Sequence, residues 1–241
     1  MLLSETLLEK FKGIRVIPDV HGEAAAFSSC LEDAKDEGLF VIQLGDLTDF
    51  GPDSIACLKL VIDLVDSKYG IVLKSNHEDK LFRYLIGNDV DTSIEPFAST
   101  LTQILNTKSS REVLHTFVEQ YSSWPYWVKY KSYAFVHAAF LPEMLEYSAP
   151  HDANEQKLKK KLKTYSLYGE TSAEVNKEGL PTRTYNWVDK IPDGQHVLVG
   201  HDIRSFENPV EKCLPNHSKV TFLDTGCGKG GIWSYKNIIF D

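Results

Sequence analysis

Short apolar runs that stop at a residue able to bind a metal recur along the chain. Arg15-Val16-Ile17 runs into Pro18-Asp19-Val20-His21-Gly22, and Val41-Ile42-Gln43-Leu44 runs into Gly45-Asp46-Leu47-Thr48-Asp49-Phe50-Gly51-Pro52. Later, Gly70-Ile71-Val72-Leu73 leads to Asn76-His77-Glu78, Tyr133-Ala134-Phe135-Val136 to His137, His196-Val197-Leu198-Val199 to Gly200-His201, and Val220-Thr221-Phe222-Leu223 to Asp224. A short apolar run bounded by turn residues reads as a buried strand. The carboxyl end of such a strand is where α/β sheets place ligands and chemistry. Between the first runs, residues 23–37 carry Ala25, Phe27, Leu31 and Ala34 at helical spacing before Gly38, a C-cap residue. Residues 54–67 repeat the pattern with a more apolar face. The resulting β-α-β units predict parallel strands joined by right-handed crossovers.

A short amphipathic helix is expected over residues 4–12, with Leu7, Leu8 and Phe11 on one side. From 79 to 130 strand signals give way to helical stripes, with capping-box spacings at Thr92–Glu95 and Ser109–Glu112. This predicts a helical insertion at about 79–130 lying over one face of the sheet, followed by Trp124, Tyr126, Trp127 and Tyr130 as core and strand residues. Residues 155–165 read as a lysine-rich helix with a solvated face, a docking face for an acidic partner being the weaker reading. Residues 169–183 read as a polar loop. No repeat or linker divides the chain, so residues 1–241 are read as one domain.

The formal net charge of −8 argues against tight binding to duplex nucleic acid, which needs a basic footprint. Cys30, Cys57, Cys213 and Cys227 form no C-x-x-C pair, and Cys30 and Cys57 fall in helix-like stretches as core thiols. With no signal-peptide pattern and no apolar run of membrane-spanning length, a reducing cytoplasm is expected.

The strand tips collect Asp19, His21, Asp46, Asn76, His137 and His201. Gly, Asp and Pro at any one tip are also ordinary turn formers; six such tips are harder to explain as turns. Carboxylates, imidazoles and one amide oxygen without a thiolate suit Mn, Fe or Zn better than Ca. Six donors exceed one tetrahedral site and suffice for two ions if Asp46, on the central motif, bridges them. Two divalent ions roughly 3.5–4 Å apart can clamp a phosphoryl group and activate a water. His77, beside Asn76, is placed to protonate a leaving oxygen, with Asp49 holding it in its charged form.

Taken in order, Asp19-x-His21-Gly22, Gly45-Asp46-x-x-Asp49-x-Gly51, Asn76-His77-Glu78, His137-Ala138 and Gly200-His201 resemble the calcineurin-like metallophosphoesterases. Within them, the pattern is most similar to the phosphoprotein-phosphatase branch, which includes bacterial serine/threonine phosphatases and diadenosine-tetraphosphate hydrolases. The resemblance runs from residue 16 to about 230. Residues 76–83, 168–171 and 179–183 resemble the phosphatase domain of bacterial polynucleotide kinase-phosphatases. The resemblance implies an α/β fold of the α+β sandwich kind, with a two-sheet β core flanked by helices. It implies one divalent ion at Asp19, His21 and Asp46 and a second at Asp46, Asn76, His137 and His201, with His77 as general acid supported by Asp49. Manganese is the expected metal, with iron, zinc and nickel as alternatives. Pro18 and Ser75 replace glycines of the family pattern, and Phe50 replaces the arginine that usually grips the substrate phosphate. Arg183 is the leading replacement, since the related subgroup also carries an Arg there; a solvent-facing loop arginine is the competing reading. Lys229, Arg83 and Lys80 are the rival cations. The leading functional reading is hydrolysis of a phosphate monoester on a nucleotide or phosphoprotein by a metal-bridging hydroxide. Dinucleoside-polyphosphate hydrolysis and an inactive metal-binding regulator are the alternatives.

Overall fold

A computed structural model describes residues 1–147, 157–175 and 181–240. Alternation along the strands decides the architecture. In β1 (Gly13–Ile17) and β2 (Leu39–Gln43), Ile14, Val16, Phe40 and Ile42 point into one apolar cluster, whereas Ile17, Leu39 and Val41 point into another. In β5 (Tyr133–Val136) and β8 (His196–Val199), Phe135 and Leu198 join the first cluster, while Ala134, Val136, Val197 and Val199 face a third. Each strand is therefore buried on both faces, as parallel strands are. The shared cluster is the filling between two sheets.

The strands form two main sheets. The first has the order β11-β1-β2-β3, with β3 (Gly70–Val72) parallel to β2 and the edge strand β11 (Lys236–Ile239) antiparallel to β1. The second has the order β4-β5-β8-β10-β9, where β5, β8 and β10 (Lys219–Phe222) are parallel and β4 (Trp127–Tyr130) and β9 (Val210–Cys213) are antiparallel edges. The two-sheet core flanked by helices is the predicted fold. β9 and β11 carry no strand signal strong enough to be read.

Helices α2 (Ala24–Asp36) and α3 (Ser54–Asp66) cover the outer face of the first sheet, and Gly38 ends α2 at φ 72 as expected of a C-cap. The predicted N-terminal helix contracts to α1 (Glu5–Leu8), with Leu8 and Phe11 still buried. The insertion consists of α4 (Asn76–Leu85), α5 (Phe97–Asn106) and α6 (Ser110–Tyr121). It starts three residues earlier than predicted and ends before β4. It packs mainly on α3, in the apolar cluster that also takes Leu39, Val41 and Val72 of the first sheet. The Thr92–Glu95 spacing forms no capping box: Ser93 bonds Asp91 in a turn, α5 begins later, and Glu95 Oε2 accepts from Ser99 N in its first turn. The Ser109 position does start α6, without a side-chain capping bond.

Over the second sheet lie α7 (Glu143–Glu146) and α8 (Lys157–Tyr168), with Met144, Leu162 and Leu167 buried against it. The segment read as a polar loop is instead a ribbon of β6 (Glu170–Val175) and β7 (Pro181–Thr184). Its tip, residues 176–180, and residues 148–156 lie outside the described residues, and with them the start of the 155–165 helix and Gly179 and Leu180. Among the described residues no helix is long and apolar enough to cross a membrane, and all four cysteines are free.

Candidate metal centre

Three strand tips of each sheet meet at one end of the sandwich. Asp19, Asp46 and Asn76 follow β1, β2 and β3, while His137, His201 and Asp224 follow β5, β8 and β10. All six sequence-predicted donors come together. Asp46 lies between the others: its Oδ2 is 3.7 Å from His21 Nε2 and 3.9 Å from His201 Nδ1, and its Oδ1 is 3.4 Å from His137 Nε2. Asp19 Oδ2 lies 3.5 Å from His21 Nε2, and Asn76 Oδ1 lies 2.9 Å from His137 Nε2. His21, Asp46 and His77 form one group of donor atoms within 4.8 Å of each other, and Asp46, His137 and His201 form a second that shares Asp46.

Local backbone chemistry makes this convergence reachable. A Cβ on Gly45 would come 2.4 Å from Ser75 Cβ, and one on Gly200 would come 2.4 Å from Asp19 Oδ1. Buried Gln43 locks the first turn, donating from Nε2 to Pro18 O and Gly45 O and accepting from Gly45 N. Ser75, which replaces a glycine of the family pattern, sits at φ −132 and needs no left-handed backbone. It starts α4, which leaves Asn76 and His77 in the first turn. Glu78 then anchors the central loop: one oxygen accepts from Leu47 N, Thr48 N and Thr48 Oγ1, and the other from Ser75 Oγ. Sequence reasoning assigns Glu78 no role, because Leu47 and Thr48, which it holds, lie about thirty residues away.

The second nitrogen of each imidazole fixes its orientation. His21 Nδ1 donates to Thr48 O at 2.8 Å and His137 Nδ1 to Leu44 O at 3.0 Å, so both Nε2 atoms face inward. Burial lowers His21 and His201 to about 4, outweighing the pull of Asp46. Both rings are therefore neutral near pH 7, the state in which imidazole binds a cation. Burial raises Asp19 to about 6, and the Asp46 charge adds to the rise. Burial also pushes Asp46 upward, but His137 and His77 override it and hold its carboxyl well below the usual range.

The donor set passes a test of fit. Among the described residues, Asp19 Oδ2, His21 Nε2, His201 Nε2 and Asp224 Oδ2 are buried with no hydrogen-bond partner. Buried polar atoms are seldom left so, and Asp19 Oδ2 and His21 Nε2, unpartnered 3.5 Å apart beside Asp46, fit a cation. Asp224 ends an apolar run in the sequence but is not in the predicted ligand set. Its Oδ1 accepts from Gly226 N, and burial followed by the Asp19 charge raises it to about 7.

The predicted acid pair forms beside the cluster. His77 Nδ1 lies 2.5 Å from Asp49 Oδ2, and His77 Nε2 lies 3.7 Å from Asp46 Oδ2. Burial opposes the imidazolium, but Asp46 and then the Asp49 hydrogen bond prevail and raise His77 to about 9. The four candidate phosphate-binding cations are spread out. Arg183 lines a cavity of about 610 Å³ with Asn76, His201, Tyr168 and Thr171, and its Nη1 pairs with buried Asp202 and reaches His201 O. Lys229 Nζ sits over the Phe50 ring at 4.6 Å, and that ring packs 4.8 Å from His21. Arg83 faces the Tyr168 hydroxyl, and Lys80 lies over Phe97.

Comparison with known proteins matches residues 13–206 to the calcineurin-like phosphoesterase family. A bis(5'-nucleosyl)-tetraphosphatase PrpE (asymmetrical) from Oceanobacillus iheyensis is 29% identical over 239 residues, covering 89% of this chain and 84% of its own. Its counterpart from Bacillus subtilis is 25% identical, covering 88% and 85%. Among solved structures, a putative diadenosine tetraphosphatase superposes with TM-score 0.59 at 18% identity, covering 99% of this chain and 96% of its own. A protein serine/threonine phosphatase from Saccharomyces cerevisiae superposes with TM-score 0.56 at 15% identity, covering 99% and 75%. At these identities the two superpositions establish the shared fold.

Proposed function

The chain belongs to the calcineurin-like phosphoesterase family, a family of metal-dependent hydrolases acting on phosphate esters, and we propose that it is a two-metal phosphomonoesterase acting on a nucleotide or phosphoprotein. The observation that carries this reading is Asp46 between Asp19 and His21 on one side and His137 and His201 on the other, with the His77–Asp49 pair beside it. Asp19, His21 and Asp46 would hold one ion, and Asp46, Asn76, His137 and His201 the other. Asp224, whose Oδ2 has no partner, stands next to the first. Manganese is the metal proposed, on the mixed carboxylate and imidazole donor set. Two bound divalent ions supply charge for the phosphoryl oxygens and lower the pKa of a water at the site. The protein's own residues then orient the phosphate and deliver a proton. His77 gives its proton to the leaving oxygen while Asp49 keeps Nδ1 occupied and the ring aimed. The donors come from both sheets, so residues 1–241 act as one domain on this reading. Cytoplasmic location is proposed on the free cysteines.

Dinucleoside-polyphosphate hydrolysis is the second reading, favoured by the tetraphosphatase relatives. One turnover screen separates the two. Protein dialysed against chelator should bind about two Mn²⁺ per chain, as a two-metal hydrolase requires. Hydrolysis should vanish in chelator and return with Mn²⁺. Faster turnover of p-nitrophenyl phosphate, phosphoserine peptides or 3′-nucleotides than of diadenosine tetraphosphate supports the first reading, and the reverse order the second. Full activity in excess chelator would overturn both.

Arg183 is the proposed phosphate clamp. Its anchor on Asp202 and His201 O occupies one nitrogen of a planar fork, leaving donors on a guanidinium held at the cavity wall. Arg183→Ala should lower kcat/KM on a phosphomonoester by roughly ten-fold or more, the loss of a charged hydrogen bond. Arg183→Lys should restore little, because a lysine ammonium is a single point charge and lacks the planar fork that spans Asp202 and a phosphate. If Arg183→Ala has no kinetic effect while Lys229→Ala raises KM strongly, Lys229 over Phe50 is the clamp instead.

A further inference from the structure

Asp49 is held from outside the motif that contains it. Asp49 and Phe50 both adopt left-handed backbone, with φ 72 and 64. Residues with a Cβ take that conformation in succession only where their surroundings impose it. Helix α5 of the insertion supplies those surroundings, about fifty residues along the chain. Thr100 Oγ1 donates to Asp49 Oδ1 at 2.5 Å and lies 3.3 Å from Ser54 Oγ. The hydroxyl of Thr100 has one proton and spends it on Asp49, so Ser54 is the donor between the two hydroxyls. Ser54 Oγ in turn accepts from Asp49 N at 3.2 Å, which closes a ring of hydrogen bonds through Asp49. Ser54 and Thr100 are fully buried, so water does not compete for these bonds. One turn further along α5, Gln103 grips the same loop. Its Nε2 donates to Gly51 O at 2.9 Å, and its Oε1 accepts from Ser54 N at 2.7 Å. The other oxygen of Asp49 is the one that holds His77.

We propose that Thr100 and Gln103 are positioning residues for the His77–Asp49 pair, so that the helical insertion sets the aim of the acid. The inference deepens the reading of His77 as proton donor and rests on it for its kinetic consequence. Two readouts test it. Thr100→Val should lower kcat on a phosphoserine peptide by roughly ten-fold, the loss of a hydrogen bond to a charged group. KM and Mn²⁺ content should stay at wild-type values. The loss on p-nitrophenyl phosphate should stay within about two-fold, since that leaving group needs little protonation. Thr100→Ser should restore the wild-type rate. Independently of turnover, the His77 Nδ1 proton should give a low-field resonance in histidine-labelled protein, absent in His77→Ala and shifted or broadened in Thr100→Val. If Thr100→Val does not fold, Gln103→Leu carries the same two readouts, since it frees the loop and leaves the Asp49 carboxylate paired. An unchanged resonance, or equal losses on the two substrates, would overturn the assignment. If wild-type protein hydrolyses neither phosphate, the proton-donor reading fails, and the resonance still decides whether α5 holds the pair.

Discussion

Asp46→Asn should abolish measurable hydrolysis and reduce bound Mn²⁺ from about two ions per chain to one or fewer. The expectation follows from where Asp46 stands. Its two oxygens lie within 3.9 Å of nitrogens on His21, His77, His137 and His201, so both donor groups are built on one carboxylate. Asparagine keeps the volume, but it replaces one acceptor oxygen by an NH₂ and removes the charge. Loss of a shared ligand in a two-metal site forfeits several kcal/mol of transition-state charge stabilisation, which corresponds to roughly 10³-fold or more in rate. The fold should survive, because the backbone bonds of this residue do not involve the carboxylate: Asp46 N donates to Ser75 Oγ, and Asp46 O accepts from Val20 N and His21 N. His201→Ala is the control. It removes a donor from one group and should cost mainly one ion. Elemental analysis after dialysis, a melting curve and turnover on p-nitrophenyl phosphate make the comparison. Two retained ions and near-wild-type turnover in Asp46→Asn would remove Asp46 from the bridging position.

The strand tips were legible because each buried parallel strand is a continuous apolar run, and a polar residue at its end stands out. The same property hides which sheet a strand joins. Val16, Val41, Val136 and Val199 lie in runs of like composition, yet they belong to two sheets facing across a shared core. The edge strands escaped for the opposite reason. β9 is exposed along its length, and β11 pairs Ile239 with Gly13 across most of the chain, so neither shows a local periodicity to read. The β6–β7 ribbon carries Glu, Thr, Ser and Ala in place of alternating apolar residues, and its pairing rather than its side chains makes it a strand pair. In the site, residue types and local spacing named Asp19, His21, Asp46, Asn76, His137 and His201. What spacing could not supply is the set of residues that hold them. Glu78 reaches Thr48, Thr100 reaches Asp49, and Asp202 reaches Arg183 only after folding.

The removal of His77 tests the chemistry of proton delivery rather than that of the metals. His77→Ala should lower kcat by roughly 10²–10⁴ on a substrate with a poor leaving group, such as a phosphoserine peptide, if proton donation limits the rate. Geometry is the basis. Nδ1 is taken by Asp49 at 2.5 Å, so Nε2 is the nitrogen that faces the donor cluster, 3.7 Å from Asp46 Oδ2. Asp46 and Asp49 together keep the ring charged against the effect of burial, and a charged ring carries a proton to give. Alanine removes that proton and leaves Asn76 and Glu78 on the same turn of α4 untouched. Metal content should therefore remain near two ions per chain. The loss should shrink toward unity as the leaving group becomes more acidic, because p-nitrophenolate departs without a proton, and this dependence separates an acid from a residue that merely fills space. Asp49→Asn should give a smaller loss with the same dependence, since it weakens the support of the ring without removing it. Steady-state kinetics on a series of aryl and alkyl phosphates, read with metal analysis of each variant, decides the matter. Equal losses on good and poor leaving groups would assign His77 a structural role, and a fall in bound metal in His77→Ala would assign it to the metal site; either result removes it from the leaving oxygen.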